Sequence, residues 1–101
     1  MSGESGSAAL QRTVVLDPGD NVAVALTELE AGESLQCGNQ TLVIRQGIPA
    51  GHKVALAEIV IGGAVLKYGE VIGVASAPIT RGTHVHVHNV MSSRLPGPGG
   101  R

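Results

Sequence analysis

The sequence predicts a small, mostly β domain of short, bent strands with one or two short helical turns. The first observation behind this is size, because 101 residues suffice for one compact domain with a single core. The second is that several short runs are rich in β-branched residues, which is typical of strands. The third is a glycine-centred turn that recurs along the chain. Since Tyr68 is the only aromatic residue, the core must consist of aliphatic side chains.

Five segments have the composition of strands. They are short, β-branched-rich and separated by glycine-containing turns, and they cover residues 13–16, 40–45, 53–61, 71–75 and 84–88. Segment 21–29 differs, because Asp20 can cap a short helix there. A helix would put Val22, Ala25, Leu26 and Leu29 on one face, and we favour it, although the alternation of Val22, Val24 and Leu26 also fits a strand.

The recurring turn has a glycine flanked on each side by two residues and then an apolar one. Glycine permits the positive φ of a tight turn, and the flanking apolar residues can then return to the core. Five matches are centred on Gly19, Gly32, Gly51, Gly69 and Gly82. A sixth, centred on Gly62, is apolar throughout, and chance matches are easy in a chain with 15 glycines. The unequal spacing of the glycines argues against a solenoid.

Both ends of the chain have the composition of tails. Residues 1–11 are Ser- and Gly-rich and residues 94–101 are Pro- and Gly-rich, so we expect disorder in both and a folded unit over residues 12–93. The second tail could equally begin a linker to a further domain.

Charge and hydropathy argue against several classes of function. The net charge is −1, without a basic run to follow a phosphate backbone, so a nucleic-acid partner is not expected. No apolar run approaches a membrane span and no secretion signal is evident. The single Cys37 cannot form an internal disulfide, which agrees with a reducing compartment. We therefore expect a cytoplasmic protein.

Three of the four histidines, His84, His86 and His88, alternate with valines in the last predicted strand. A strand would place them on one face, with Val85 and Val87 pointing inward on the other. Neighbours would lie ~6.6 Å apart and the outer pair ~13 Å apart. Two adjacent imidazoles, such as those of His84 and His86, could therefore share an ion, but three on a straight strand could not. A metal site would need a further ligand from elsewhere.

Three interpretations of this row stay open at this point: a solvated strand face, a binding or catalytic row, and a metal site. His52 is the only other histidine. It is followed by Lys53, and Lys67 lies at a later turn, so an anion could be held there by ammonium groups and backbone N–H donors. The alternative is that these are simply exposed polar turn residues.

Four strings in this order carry a family resemblance: "DNVAVAL", "GHKVALAEI", "KYGEVIGVA" and "GTHVHVHN". Together they resemble the SAF-type (β-clip) N-terminal domain of the altronate/galactarate dehydratase family and its free-standing small subunits, including that of (2R)-sulfolactate sulfo-lyase. The resemblance covers about residues 12–91 and implies a compact, twisted β-clip.

The resemblance implies a lyase that removes water, or sulfite in the sulfo-lyase, from a hydroxy acid to give a 2-keto acid. It also implies a divalent metal, iron, manganese or magnesium, held mainly by a large catalytic subunit. A chain of this size would then be a small hydro-lyase subunit that is inactive without that partner. The residues placed at the substrate or partner end are His52, Lys53, Lys67, His84, His86, His88 and Asn89.

A second hypothesis is a non-catalytic SAF module that binds a carbohydrate or an acid, since one scaffold supports many functions. The sequence leaves open which acid is the substrate and whether the chain is a natural small subunit or an excised domain. Pairing of the small β unit with itself, through exposed strand edges, is also open.

Overall fold

The computed structural model describes residues 11–92 and confirms a mostly β domain. That span contains nine strands and no helix, and therefore no helix long and apolar enough to cross a membrane. The strands are β1 Thr13–Val14, β2 Val22–Ala25, β3 Ser34–Cys37, β4 Gln40–Val43, β5 Lys53–Ala55, β6 Ala64–Lys67, β7 Glu70–Ala75, β8 His84–Val85 and β9 Val90–Met91. Apart from residue 11, the two predicted tails lie outside the described residues.

The strands form three antiparallel sheets. A four-stranded sheet has the order β1-β2-β5-β8, a three-stranded sheet has the order β9-β7-β6, and β3 pairs with β4 alone. In the four-stranded sheet both faces of the central strands are covered: Ala23 and Val54 pack into one aliphatic cluster, and Val22 and Ala55 into another. This sheet therefore separates two small cores.

The helix favoured over residues 21–29 is wrong. Residues Val22–Ala25 form a central strand that pairs with β1 on one side and β5 on the other. Successive apolar residues of this strand face the two cores in turn, as side chains on a strand do. Hydrogen bonds to a strand on each side satisfy the buried backbone. The carboxylate of Asp20 caps a β-turn instead, accepting the backbone N–H groups of Tyr68 at 2.7 Å and Gly69 at 2.8 Å. Tyr68 has a left-handed φ of 61°.

Two predicted strands are shorter in the structure. The segment predicted over 53–61 ends as a strand at Ala55, and that predicted over 84–88 ends at Val85. Turns interrupt both, because the chain must reverse repeatedly to cover two small cores. Strands β3, β6 and β9 had not been predicted. Strands β3 and β6 each form a hairpin with the strand that follows, and β9 pairs with β7.

An internal duplication explains the recurring glycine turns. Leu29 pairs with Ile48 across an antiparallel bridge, and Ile59 pairs with Ile79 in the same way. Each bridge closes a hairpin, β3–β4 in the first and β6–β7 in the second. All four bridge residues are buried and stand three positions before a glycine of positive φ, namely Gly32, Gly51, Gly62 and Gly82. The sixth match, at Gly62, is thus part of the pattern, whereas the positive-φ glycines do not include Gly19.

Gly82 connects the two halves of the domain. Its N–H donates to the carbonyl of Ala55 at 2.8 Å, and its own carbonyl accepts the N–H of Arg45 at 2.9 Å. A Cβ at this position would lie 2.2 Å from the carbonyl oxygen of Val43, and φ is 88°. A side chain here would therefore meet rigid backbone as well as an unfavourable φ.

Gly82→Ala should destabilise the domain by more than about 3 kcal/mol, because the left-handed φ costs about 1–2 kcal/mol and the backbone clash adds to it. Gly62→Ala is the matched control, with φ 82° and no heavy atom within 4 Å of the added Cβ. It should lose only about 1–2 kcal/mol. Chemical denaturation of both variants measures the difference, and equal losses would contradict the close approach at Gly82.

Candidate functional site

Pairing of β5 with β8 brings histidines from distant parts of the chain together. In this antiparallel register Lys53 faces Val85 and Val54 faces His84. Extending the register by one residue places His52 opposite His86. Their imidazole centroids lie 4.1 Å apart, as expected for directly opposed side chains on one face of a sheet.

The turn before β5 sets the position of His52. Gly51 has a φ of 86°, and its N–H donates to the carbonyl of Ala25 at 2.7 Å. The N–H of His52 donates to the carbonyl of Pro49 at 3.1 Å, and the carbonyl of His52 accepts the N–H of Ala25 at 2.8 Å. The backbone of His52 is thus held at both polar groups, which fixes the position from which its imidazole reaches the other histidines.

Three half-buried imidazoles form a cluster, which we call the histidine trio: His52, His84 and His86. Nδ1 of His52 lies 2.8 Å from Nε2 of His84, so one proton is shared between these nitrogens. The ring of His84 lies 5.0 Å from that of His52 and 5.3 Å from that of His86. One nitrogen from each ring lies within 4.8 Å of the others, which is the geometry of a candidate metal site.

The histidine row is not a straight strand, because the chain turns after Val85. Asn89 closes this turn: its Oδ1 accepts the N–H of His86 and its Nδ2 donates to the carbonyl of His84, both at 2.9 Å. The inward direction predicted for Val85 is correct, since it is fully buried, but that for Val87 is wrong. Val87 is 80% exposed because the turn rotates it away from the core.

The remaining members of the predicted site differ in how they relate to the trio. His88 is exposed on the turn, with its ring 5.2 Å from that of His84. Asn89 is buried, and the oxygen and the nitrogen of its side-chain amide each form a hydrogen bond with a backbone group. The structure therefore gives it the role of shaping the histidine turn. Lys53 lies beside the trio, and Lys67 is near enough for its charge to act on Lys53.

Burial and mutual repulsion lower the pKa of two trio members. For His84 the pKa is lowered by burial first and then by the nearby His52, and for His86 by the same two causes in that order. Since an unperturbed histidine titrates near pH 6.5, both rings are neutral at pH 7 and keep a lone pair. Burial, followed by the charge of Lys67, also lowers the pKa of Lys53.

A cleft of about 250 Å³ opens beside the trio. Lys53 and His86 supply its polar side chains near the trio, and its remaining lining is Ile72, Val87, Val90 and Ser92. A cation and an imidazole on an otherwise largely apolar wall suit a small organic anion, which would be held by its carboxylate and packed along its carbon chain.

The metals implied by the sequence resemblance fit this donor set unequally. Imidazole suits iron, and also zinc, copper and nickel, whereas magnesium and manganese prefer carboxylate, carbonyl and water oxygens. The trio contains no oxygen donor. Of the three metals, iron is therefore the one that its residues fit.

Comparison with known proteins identifies the family. A model described as the altronate/galactarate dehydratase SAF domain matches residues 11–93. The chain belongs to this family. It is 49% identical over 74 residues to altronate dehydratase of Escherichia coli, an alignment covering 73% of this chain and 15% of that enzyme. It is 39% identical over 74 residues to altronate dehydratase of Bacillus subtilis, and this alignment also covers 73% of this chain and 15% of that enzyme. The SAF chain thus spans a small part of the dehydratases it matches.

A relative of similar length is (2R)-sulfolactate sulfo-lyase subunit alpha of Chromohalobacter salexigens. It is 38% identical over 88 residues, covering 80% of this chain and 94% of that subunit. The SAF domain therefore occurs in the family both as a small separate subunit and as part of a much longer dehydratase.

Asn89→Ala should cost about 2–3 kcal/mol and loosen the histidine turn, because it removes two hydrogen bonds and leaves the N–H of His86 without its acceptor. Asn39→Ala, in the exposed turn between β3 and β4, should change stability by less than about 0.5 kcal/mol. Chemical denaturation measures the free energy of unfolding. NMR contacts between the rings of His52 and His86 show whether the histidine turn keeps its conformation. Intact ring contacts in a destabilised Asn89→Ala variant would contradict the shaping role.

Proposed function

We propose that this SAF chain is the small component of a metal-dependent sugar-acid lyase of the altronate/galactarate dehydratase type. In this proposal it acts with a larger catalytic subunit to remove water from a hydroxy acid, giving a 2-keto acid. The observation that carries the proposal is a cleft lined by Lys53 and His86, with His86 also a member of the histidine trio, in a domain of this family.

The cleft supports a role at the substrate end. An acid substrate carries a carboxylate that Lys53 can neutralise, and the imidazole of His86 in the same cleft can exchange a proton or hydrogen-bond to hydroxyl groups. A proton next to a carboxylate is very weakly acidic, so its removal needs stabilisation of the resulting enediolate. A divalent ion bound to the carboxylate and hydroxyl supplies that stabilisation. In our proposal the large subunit mainly holds that ion, and Lys53, Lys67 and the histidines hold the anion.

A second candidate is the small subunit of a (2R)-sulfolactate sulfo-lyase. It is favoured by length, because this chain covers 94% of subunit alpha from C. salexigens and 79% of the one from Paracoccus pantotrophus. Sulfolactate would present a sulfonate as well as a carboxylate to the cations of Lys53 and Lys67. Both candidates share the cleft and the need for a partner, and they differ in the group that leaves. In either case we propose a cytoplasmic enzyme.

A tagged form of the chain, recovered from its native host in metal-supplemented buffer, should bring down a larger subunit in equal amount. The eluate should form a 2-keto acid from one member of a panel containing altronate, galactarate and sulfolactate, and the active acid decides between the two candidates. Recovery of the chain alone, with no activity on any acid, would contradict the lyase and favour a non-catalytic binding module. Recovery as a defined homo-oligomer would indicate self-pairing.

In the reconstituted complex, Lys53→Gln should raise KM for the acid by about 10-fold or more, since a charge-assisted contact is worth about 1.5–3 kcal/mol. His86→Ala should lower kcat/KM. The control is Glu28→Gln, which removes an exposed charge between β2 and β3 and should leave both constants unchanged. Unchanged turnover and KM in the Lys53 and His86 variants would show that this cleft takes no part in the reaction.

A further inference from the structure

We propose that the histidine trio binds one divalent transition-metal ion on this chain itself, with His52, His84 and His86 as the three protein ligands. This inference rests on the geometry of the trio and stands whether or not the lyase proposal is correct. It assigns the SAF domain a metal site of its own, separate from any ion held by a partner.

The first step of the argument is the pair of nitrogens that face each other. Nδ1 of His52 and Nε2 of His84 lie 2.8 Å apart across a single shared proton. Two imidazoles bound tetrahedrally to one ion at about 2.0–2.1 Å hold their nitrogens about 3.3 Å apart. An opening of roughly 0.5 Å, with that proton moved to the other nitrogen of its own ring through solvent, would thus admit an ion. Both nitrogens already face the same space.

The second step is the third ligand. The donor nitrogens of the trio lie within 4.8 Å of one another, so the most distant must approach by roughly 1.5 Å to reach tetrahedral spacing. His86 is half-buried at the margin of the cleft, where its ring can rotate. The present stacking of His86 on His52, with rings inclined by 19°, would give way to convergence on the ion.

The third step is the class of ion and what completes its coordination. Three imidazole ligands suit the ions from Fe²⁺ to Zn²⁺, in contrast to Mg²⁺. Three protein ligands leave at least one position open, as in catalytic zinc sites. The charge of Lys53 opposes a bare cation nearby, but it favours an anionic oxygen at the open position. The site would therefore take the ion most tightly together with a carboxylate from the cleft.

The test uses the full chain, first stripped of metal with a chelator and then titrated with Co²⁺ under reducing conditions. Visible absorption should show one Co²⁺ bound per chain, with the strong bands of low coordination number. Zn²⁺ should displace it, because Zn²⁺ has no d-electron preference against a tetrahedral site, and excess Mg²⁺ should not. Calorimetry with Zn²⁺ alone gives an independent affinity.

Single variants then identify the ligands. His52→Ala, His84→Ala and His86→Ala should each weaken Zn²⁺ binding by more than about 100-fold, since even outer-shell partners contribute about 10–100-fold. His88→Ala is the matched control, a neighbouring histidine outside the trio, and should change affinity by less than about 3-fold. Thermal unfolding confirms that each variant is folded. NMR of the imidazole nitrogens in the unaltered chain should show three rings shifting on Zn²⁺ addition, and this readout needs no substitution.

Two results would overturn the proposal. The first is the absence of stoichiometric Co²⁺ and Zn²⁺ binding to the folded chain. The second is equal loss of binding in His88→Ala, or shifts of fewer than three imidazoles, which would indicate a surface histidine pair. Because the chain is tested without partner or substrate, failure here leaves the lyase proposal standing, and failure of the lyase assay leaves the metal site standing.

Discussion

The short pairing of β5 with β8 is the interaction on which the rest of this structure depends. Only Lys53, Val54, His84 and Val85 take part in the ladder, yet it closes the four-stranded sheet. Through Gly82, two residues before β8, the first duplicated hairpin unit is bonded to the second. The same pairing opposes His52 and His86, so one contact both completes the fold and assembles the histidine trio.

The duplication has a further consequence for the site. The two hairpin units use equivalent bonds, and His52 in the first stands where Thr83 stands in the second, each following a positive-φ glycine. The N–H of His52 bonds to Pro49 three residues earlier, and that of Thr83 bonds to Thr80 in the same way. The scaffold is therefore symmetric where it supports the core and asymmetric where it carries chemical groups. This is typical of a fold on which function is added at turns.

Much of the fold could be predicted from the sequence, because it depends on local signals. Glycine turns and β-branched runs are local, and they gave the all-β architecture and the positions of Gly32, Gly51 and Gly82. The segment 21–29 was misjudged because a short apolar run fits both periodicities, and only the neighbours on each side of β2 decide between them. The turn at Gly62 was underestimated because exposed Val60 and Ile61 hide its similarity to the other turns.

The three histidines of the trio were among the candidate residues chosen from the sequence, but their arrangement was not predicted. The prediction from the sequence paired only His84 and His86 for an ion, because His52 is 32 residues from His84 and joins it only through tertiary pairing. A straight strand was assumed for the row, whereas the side chain of Asn89 folds it back on itself. The signal was present as an asparagine directly after the row, a residue type that often closes turns.

The measurement that tests the central claim most directly is the hydrogen-bond state of His52 and His84 in the metal-free chain, observed by NMR of the imidazole nitrogens. The account predicts complementary tautomers, a coupling across the shared hydrogen bond, and ring contacts from His52 to His86. Independent, freely exchanging imidazoles with no contact between His52 and the other two would contradict the assembly of the trio by strands β5 and β8.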